Sequence, residues 1–288
     1  MTVPRPMQEE HTMKAPFKNF PRLATGIFLS IGIVVSGPLT TFASDTPATG
    51  STSGTSSTGA SNTKQAQTIT RTTAFCSAIS TKAATITSQI TARETATTNV
   101  WNQQDQKLND SFNKVDQTVA SDRANADTER SQDFQKLQAK ATTDAQKLAV
   151  TQYIAAVNAA VTARRAAFDS ARHTYRTELE SMIAAKRASV SQLETSLLAS
   201  VNAAFAAATS SCATAPNSGD AIRTTLKASL KTARETFGKG AVKTPGAADT
   251  QKQLISTRNA AFTQAEQTFK TALQTARQSL EKAFSQQV

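Results

Sequence analysis

The chain has 288 residues, 32 basic against 21 acidic side chains (net charge +11), 39% apolar residues and only 6% aromatic ones. So few large apolar side chains cannot fill a thick globular core, and the composition points instead to an all-α chain with a cross-section of two or three helices. There are two histidines, His11 and His173, and only His173 lies beyond the first 43 residues, so no pair of imidazoles is expected there to bind metal or share acid–base work.

At the N-terminus Lys14, Lys18 and Arg22 precede an apolar run from Leu23 to Val35, closed by Thr41-Phe42-Ala43. A basic start, a short apolar stretch and small residues at a cleavage position form a secretory signal, so residues 1–43 are read as a leader removed after Ala43. The run is short and glycine-punctuated for a membrane span, which makes a retained anchor the alternative. Cleavage removes four basic and two acidic residues, leaving 32 − 4 = 28 against 21 − 2 = 19, a net charge of +9. The expected location is secreted, cell-surface or periplasmic. Residues 44–63 hold 12 Ser or Thr among 20, with Gly50, Gly54 and Gly59 between them. That composition buries nothing and is expected to be a disordered tether.

Beyond Gly59 the texture changes. No glycine occurs before Gly219 and no proline between Pro47 and Pro216, while Ala, Gln, Lys, Arg and Glu dominate. Residues 64–213 are therefore predicted to form very long helices. Ile154, Val161, Phe168, Tyr175 and Met182 recur at seven-residue spacing, and Val190, Leu197 and Val201 continue the stripe after a one-residue slip. Phe112, Val119 and Ala126, beside Trp101, Leu108 and Val115, form a matching row upstream. This reads as a heptad seam with defects.

Cys76 and Cys212 are the two cysteines, and both lie in the exported part. An even count in an oxidising compartment favours a disulfide over two buried thiols. If they bond, positions summing to about 288 face each other across an antiparallel hairpin. Ile86 then meets Val201, Ile90 meets Leu197, Leu108 meets Leu179, Phe112 meets Tyr175, Val119 meets Phe168, Ala126 meets Val161 and Phe134 meets Ile154. The fold-back falls near Asp144, where Thr and Asp can cap helices, and Trp101 lands opposite Lys186 and Arg187, suited to a cation–π contact. The expected fold is thus an elongated antiparallel helical hairpin or coiled-coil-like bundle followed by two further C-terminal helices.

Those helices belong to a basic pair over 219–288. One runs from about Asp220 to Phe237 with Ile222, Leu226, Leu230, Ala233 and Phe237 on one face. Gly238-Lys239-Gly240 and Pro245-Gly246 are read as the next loop, and a last helix covers about Ala248 to Phe284. Arg164–Leu179 and Arg258–Leu273 share a weak repeat that aligns Phe168 with Phe262 and Tyr175 with Phe269.

Catalytic chemistry has no constellation to rest on. His173 stands among Arg172 and Arg176 as a surface residue, Glu178 and Glu180 point to different helix faces, and no glycine-rich phosphate loop occurs. No enzyme activity, cofactor, metal or small-molecule substrate is expected. Residues 221–288 carry 11 basic against 4 acidic side chains. Arg223, Lys227, Lys231 and Arg234 follow one helical stripe, extended by Lys239 and Lys243, and read either as a solvated face or as an anion-binding surface. Base-specific nucleic-acid binding lacks a motif. The expected role is an exported structural or interaction protein of the cell envelope or extracellular space. Its alternative is a basic module, or a holdase-type chaperone, acting on envelope polymers, lipids or unfolded clients. Expected partners are a protein, an anionic polymer, a membrane surface or a further copy of the chain.

Closing a loop of 212 − 76 = 136 residues stabilises a chain by about 4–5 kcal/mol in the chain-entropy treatment. Non-reducing peptide mapping is expected to recover Cys76 and Cys212 in one linked fragment, and reduction is expected to lower the melting temperature. Two free thiols in the purified oxidised protein would remove the clasp.

Overall fold

Between Gly59 and Gly219 the chain offers a helix almost nothing to break on, and the backbone behaves accordingly. The computed structural model describes residues 60–215, 218–243 and 247–285, all of them but for short connections in four helices. The leader, most of the tether and the Lys243 side chain lie outside the described residues. Helix α1 spans Ala60–Lys140, α2 Asp144–Thr214, α3 Gly219–Lys243 and α4 Ala247–Ser285. The fold is all-α: a long antiparallel hairpin, α1 and α2, followed by two further helices. Threonine, a poor helix former, is accommodated by back-bonding: Thr85, Thr95, Thr118 and Thr128 each donate a hydroxyl to the carbonyl four residues earlier.

The fold-back needs neither glycine nor proline because a capping box makes it. Thr143 Oγ1 accepts from the Gln146 amide at 3.2 Å, while Gln146 Oε1 accepts from the Thr142 and Thr143 amides at 2.9 and 3.3 Å. A Thr-x-x-Gln pair satisfying each other's orphan amides is a strong helix start. The expectation of a turn beside Asp144 holds, and the Ser121-Asp122 stretch is uninterrupted helix. The expected loop at Gly238-Lys239-Gly240 is not a loop: α3 continues through both glycines to Lys243. A Cβ on Gly238 would meet open space, whereas Gly240 serves close packing there, since a Cβ on it would collide with the Leu193 side chain. Gly219 does the same against Thr72.

The described chain divides into two compact units. In one, residues 60–102 and Ala185–Thr214 of the hairpin pack with α3. Its core joins Phe75, Ile79 and Ile86 of α1, Val201, Ala204, Phe205 and Ala208 of α2, and Ile222, Leu226 and Leu230 of α3. Cys76 and Cys212 are bonded beside this core, their Cα atoms 5.9 Å apart. In the other unit, residues Gln103–Ala184 pack with α4. One cluster there holds Phe112, Tyr175, Leu179 and Ile183 with Leu254 and Ile255; a second holds Phe134, Val157, Val161 and Phe269.

The register set by the cysteines recurs in both units. Ile86 and Val201 share a cluster, as do Ile90 and Leu197, Leu108 and Leu179, Phe112 and Tyr175, and Phe134 and Ile154. The repeat behind it is eleven residues rather than seven. Val150, Val161, Arg172, Ile183, Glu194 and Phe205 are all buried, and Val157, Leu179, Val190 and Val201 lie on a second row of the same spacing. Eleven residues make three turns at about 3.67 per turn, close to the natural 3.6, so the stripe stays on one face where a heptad would drift. The slip in the heptad reading was this longer period.

Leu179 is 1% exposed at the centre of its cluster. Leu179→Asp places an unpaired charge there and is expected to cost about 3–5 kcal/mol. Thermal or urea unfolding reads it, and an unchanged transition would mean that Leu179 does not lie in the seam.

Candidate functional site

The arginines are the most heavily used polar side chains in the described structure. In the α4 unit no α1 side chain between Phe112 and Phe134 is fully buried, and ion pairs take the place of apolar contacts. Arg176 grips Asp116 with both terminal nitrogens at 2.6 and 2.7 Å, Arg165 grips Asp127 at 2.7 and 3.0 Å, and Arg123 of α1 grips Asp169 of α2 at 2.9 and 3.0 Å. Arg130 and Arg172 reinforce Asp127 and Asp169 from one turn away. Parallel guanidinium–carboxylate forks are directional as well as strong. Arg176 also lies over the Phe112 ring, 4.6 Å from its centroid, and donates to the Phe112 carbonyl. In the α3 unit Arg187 repeats the arrangement on Trp101, 5.5 Å from the centroid and 3.3 Å from its carbonyl oxygen. Arg187 is thus the cation over Trp101, as the register predicted.

These contacts shift the carboxyl groups. The hydrogen bond from Arg176 holds Asp116 below its ordinary value. Arg165, helped by Arg130, takes Asp127 down to about 2. Burial pushes Asp169 up, but Arg123 and Arg172 outweigh it and the net shift is downward.

The seam between α2 and α4 is built from the internal repeat. Arg164 lies 4.1 Å from the Phe269 centroid and 5.9 Å from Phe168; Arg258 lies 4.8 Å from Tyr175 and 5.8 Å from Phe262. Between them Phe168 and Phe262 meet at 4.7 Å. Each Arg-x3-Phe-x6-aromatic strip therefore mates with the other antiparallel, the arginine of one covering the last ring of the other. The two strips are related by a local two-fold. Arg164 completes its set with Glu266 at 3.5 Å. Burial lowers Arg258 and raises Tyr175, as an inward-turned cation and phenol require.

The six residues of the basic stripe do not form one equivalent surface. Arg223 turns inward and stacks on Phe75, 5.0 Å from the ring centroid. Arg234 is half-buried and engaged, whereas Lys227, Lys231 and Lys239 are exposed. Lys231 meets Glu235 at only 3.8 Å. The Lys243 side chain lies outside the described residues. His173, Glu178 and Glu180 are all exposed on α2, apart from any enclosed site.

The sequence reading missed the inward-turned, half-buried arginines. Arg165, Arg176 and Arg187 stand eleven residues apart on α2, and Asp116 and Asp127 eleven apart on α1. That shared period was the available signal.

Because these Asp groups have lowered pKa values, the unfolded chain binds more protons than the folded one once pH drops below about 4, and stability falls with pH there. The α4 unit is expected to loosen between about pH 4 and pH 2, with Asp127→Asn blunting the loss. Circular dichroism along an acid titration reads it, and identical acid profiles for Asp127→Asn and the unmodified chain would contradict the pairing. No known protein family, curated protein or solved structure matches this chain.

Proposed function

We propose that the protein is an exported, non-catalytic helical scaffold of the cell envelope or extracellular space, working through the exposed faces of its helices. One observation carries the reading: most of the described arginines, the side chains best suited to bind ligands, are turned inward. Arg164, Arg176 and Arg258 are committed to rings or carboxylates of neighbouring helices within their own unit, and Arg187 and Arg223 to rings in theirs. Polar chemistry of that kind sets helix against helix and makes surfaces, not a reaction centre. The cysteine bond supports an oxidising destination.

Fractionation of source cells, followed by N-terminal sequencing, tests export. The expected result is a chain beginning at Ser44 outside the cytoplasm with its disulfide closed. A chain still beginning at Met1 and confined to the cytosol overturns the reading.

A second reading, anion binding, is favoured by the exposed Lys227, Lys231 and Lys239 on α3. Binding to phosphatidylglycerol vesicles is then expected to weaken steeply with salt, and Lys227→Glu with Lys231→Glu and Lys239→Glu to abolish it. Equal sedimentation with phosphatidylcholine vesicles would dispose of this reading.

A further inference from the structure

Within the α3 unit the buried rows of α1 and α2 contain one acid that ion pairing does not explain. Glu194 sits between Val190 and Val201 on the inner face of α2 and is 7% exposed. Its Oε2 is buried without a hydrogen-bond partner; single nitrogens of Arg165, Arg172 and Arg223 share that state, but each of those cations is forked, paired or stacked through its other atoms. By the hairpin register, 94 + 194 = 288, the residue opposite is Glu94. The like charge of Glu94 acts on Glu194, with Arg93 as a partial offset on the same turn of α1. On α3 the facing turn sets Gly240 against Leu193, and its one described charge, Lys239, is exposed. Two acids thus face each other across a helix seam with one oxygen unsatisfied, an arrangement costly when both are ionised and relieved when one takes a proton.

We propose that Glu94 and Glu194 form an acid-closed latch, in which a proton taken up by Glu194 tightens the α1–α2 seam of the α3 unit. Protonation removes the charge that Glu94 repels and adds an O–H that the Glu94 carboxylate can accept. The direction follows from linkage. Burial first, then Glu94, raises the Glu194 pKa above its ordinary value. The folded state therefore binds more protons than the unfolded one above that value, and stability grows as pH falls into this window. Asp116, Asp127 and Asp169 are shifted the other way and stay ionised there. Mild acid consequently reports the latch, and strong acid reports the α4 unit.

Trp101 is the one tryptophan of the chain and is buried in the α3 unit, two helical turns from Glu94. Its fluorescence in the full-length oxidised protein follows this seam. The melting midpoint is expected to rise by a few degrees from about pH 7.5 to about pH 5. Glu194→Gln is expected to have the raised midpoint already at the higher pH and to lose the dependence, and Glu94→Gln to shift the same way. The difference between Glu194→Gln and the unmodified chain is the decisive quantity. An unmodified midpoint that stays flat or falls overturns the latch, as does a Glu194→Gln chain that melts no higher at neutral pH. A midpoint raised by calcium ions but not by protons also overturns it, in favour of a cation bridge.

Discussion

Long helices that pack only two or three deep expose most of each turn to water, so a few inward positions per turn must supply all the cohesion. A chain with 6% aromatic residues cannot fill those positions with rings and branched aliphatics alone. Arginine resolves the shortage. Its stem is apolar, its guanidinium plane stacks on a ring, and its edge still reaches a carboxylate or carbonyl. Arg176 does all of this at once, lying over Phe112, forking Asp116 and touching the Phe112 carbonyl. Burying a cation is costly when it stands alone, and here it is offset by stacking and charge-assisted bonds made by the same group. The other features of the seams, including the eleven-residue period, the aspartate partners and the depressed carboxyl groups, depend on that substitution of cation for apolar bulk.

Much of the architecture was legible because two distant cysteines and a breaker-free run of 150 or so residues leave few ways to fold. Summing paired positions to 288 placed Phe112 by Tyr175, Ile86 by Val201 and Arg187 over Trp101, and each of these neighbours is found. The heptad approximation located the inner face but not its true period, since seven- and eleven-residue spacings agree over a few turns. It also obscured Arg172 and Glu194, which occupy inner positions as fully as Val161 and Ile183 do. A polar residue on a buried row has no apolar signature, so a search for greasy stripes steps over it.

A neighbouring helix decides two further points. Gly238 and Gly240 looked like punctuation because glycine weakens isolated helices by about 1 kcal/mol. That penalty is outweighed at Gly240, where the absent side chain lets α3 approach Leu193 of α2. Similarly, the basic stripe was read from charge and spacing alone, which cannot tell a solvated lysine from an arginine stacked on a ring. Lys227 and Arg223 share that stripe, yet only Arg223 turns back to Phe75. Local propensity and surface charge are thus overridden wherever a neighbouring helix supplies a ring or a tight approach.

The internal repeat has the most specific consequence. Arg164–Leu179 and Arg258–Leu273 agree at eight of sixteen positions: the leading Arg, two Ala, Phe, a further Ala, two Thr and the final Leu. Two equal strips related by a local two-fold are each self-complementary in principle, so pairing of like with like must be discriminated against. One divergent position does this. Arg164 pairs with Glu266, and the residue equivalent to Glu266 on the α2 strip is Arg172. Two α2 strips brought together in this geometry would set Arg164 against Arg172, cation against cation, while α2 with α4 gains an ion pair. Arg172 is meanwhile held by Asp169, a residue the α4 strip replaces with Thr263. The repeat therefore supplies the shape of the clasp, and the departures from it decide which two helices it joins.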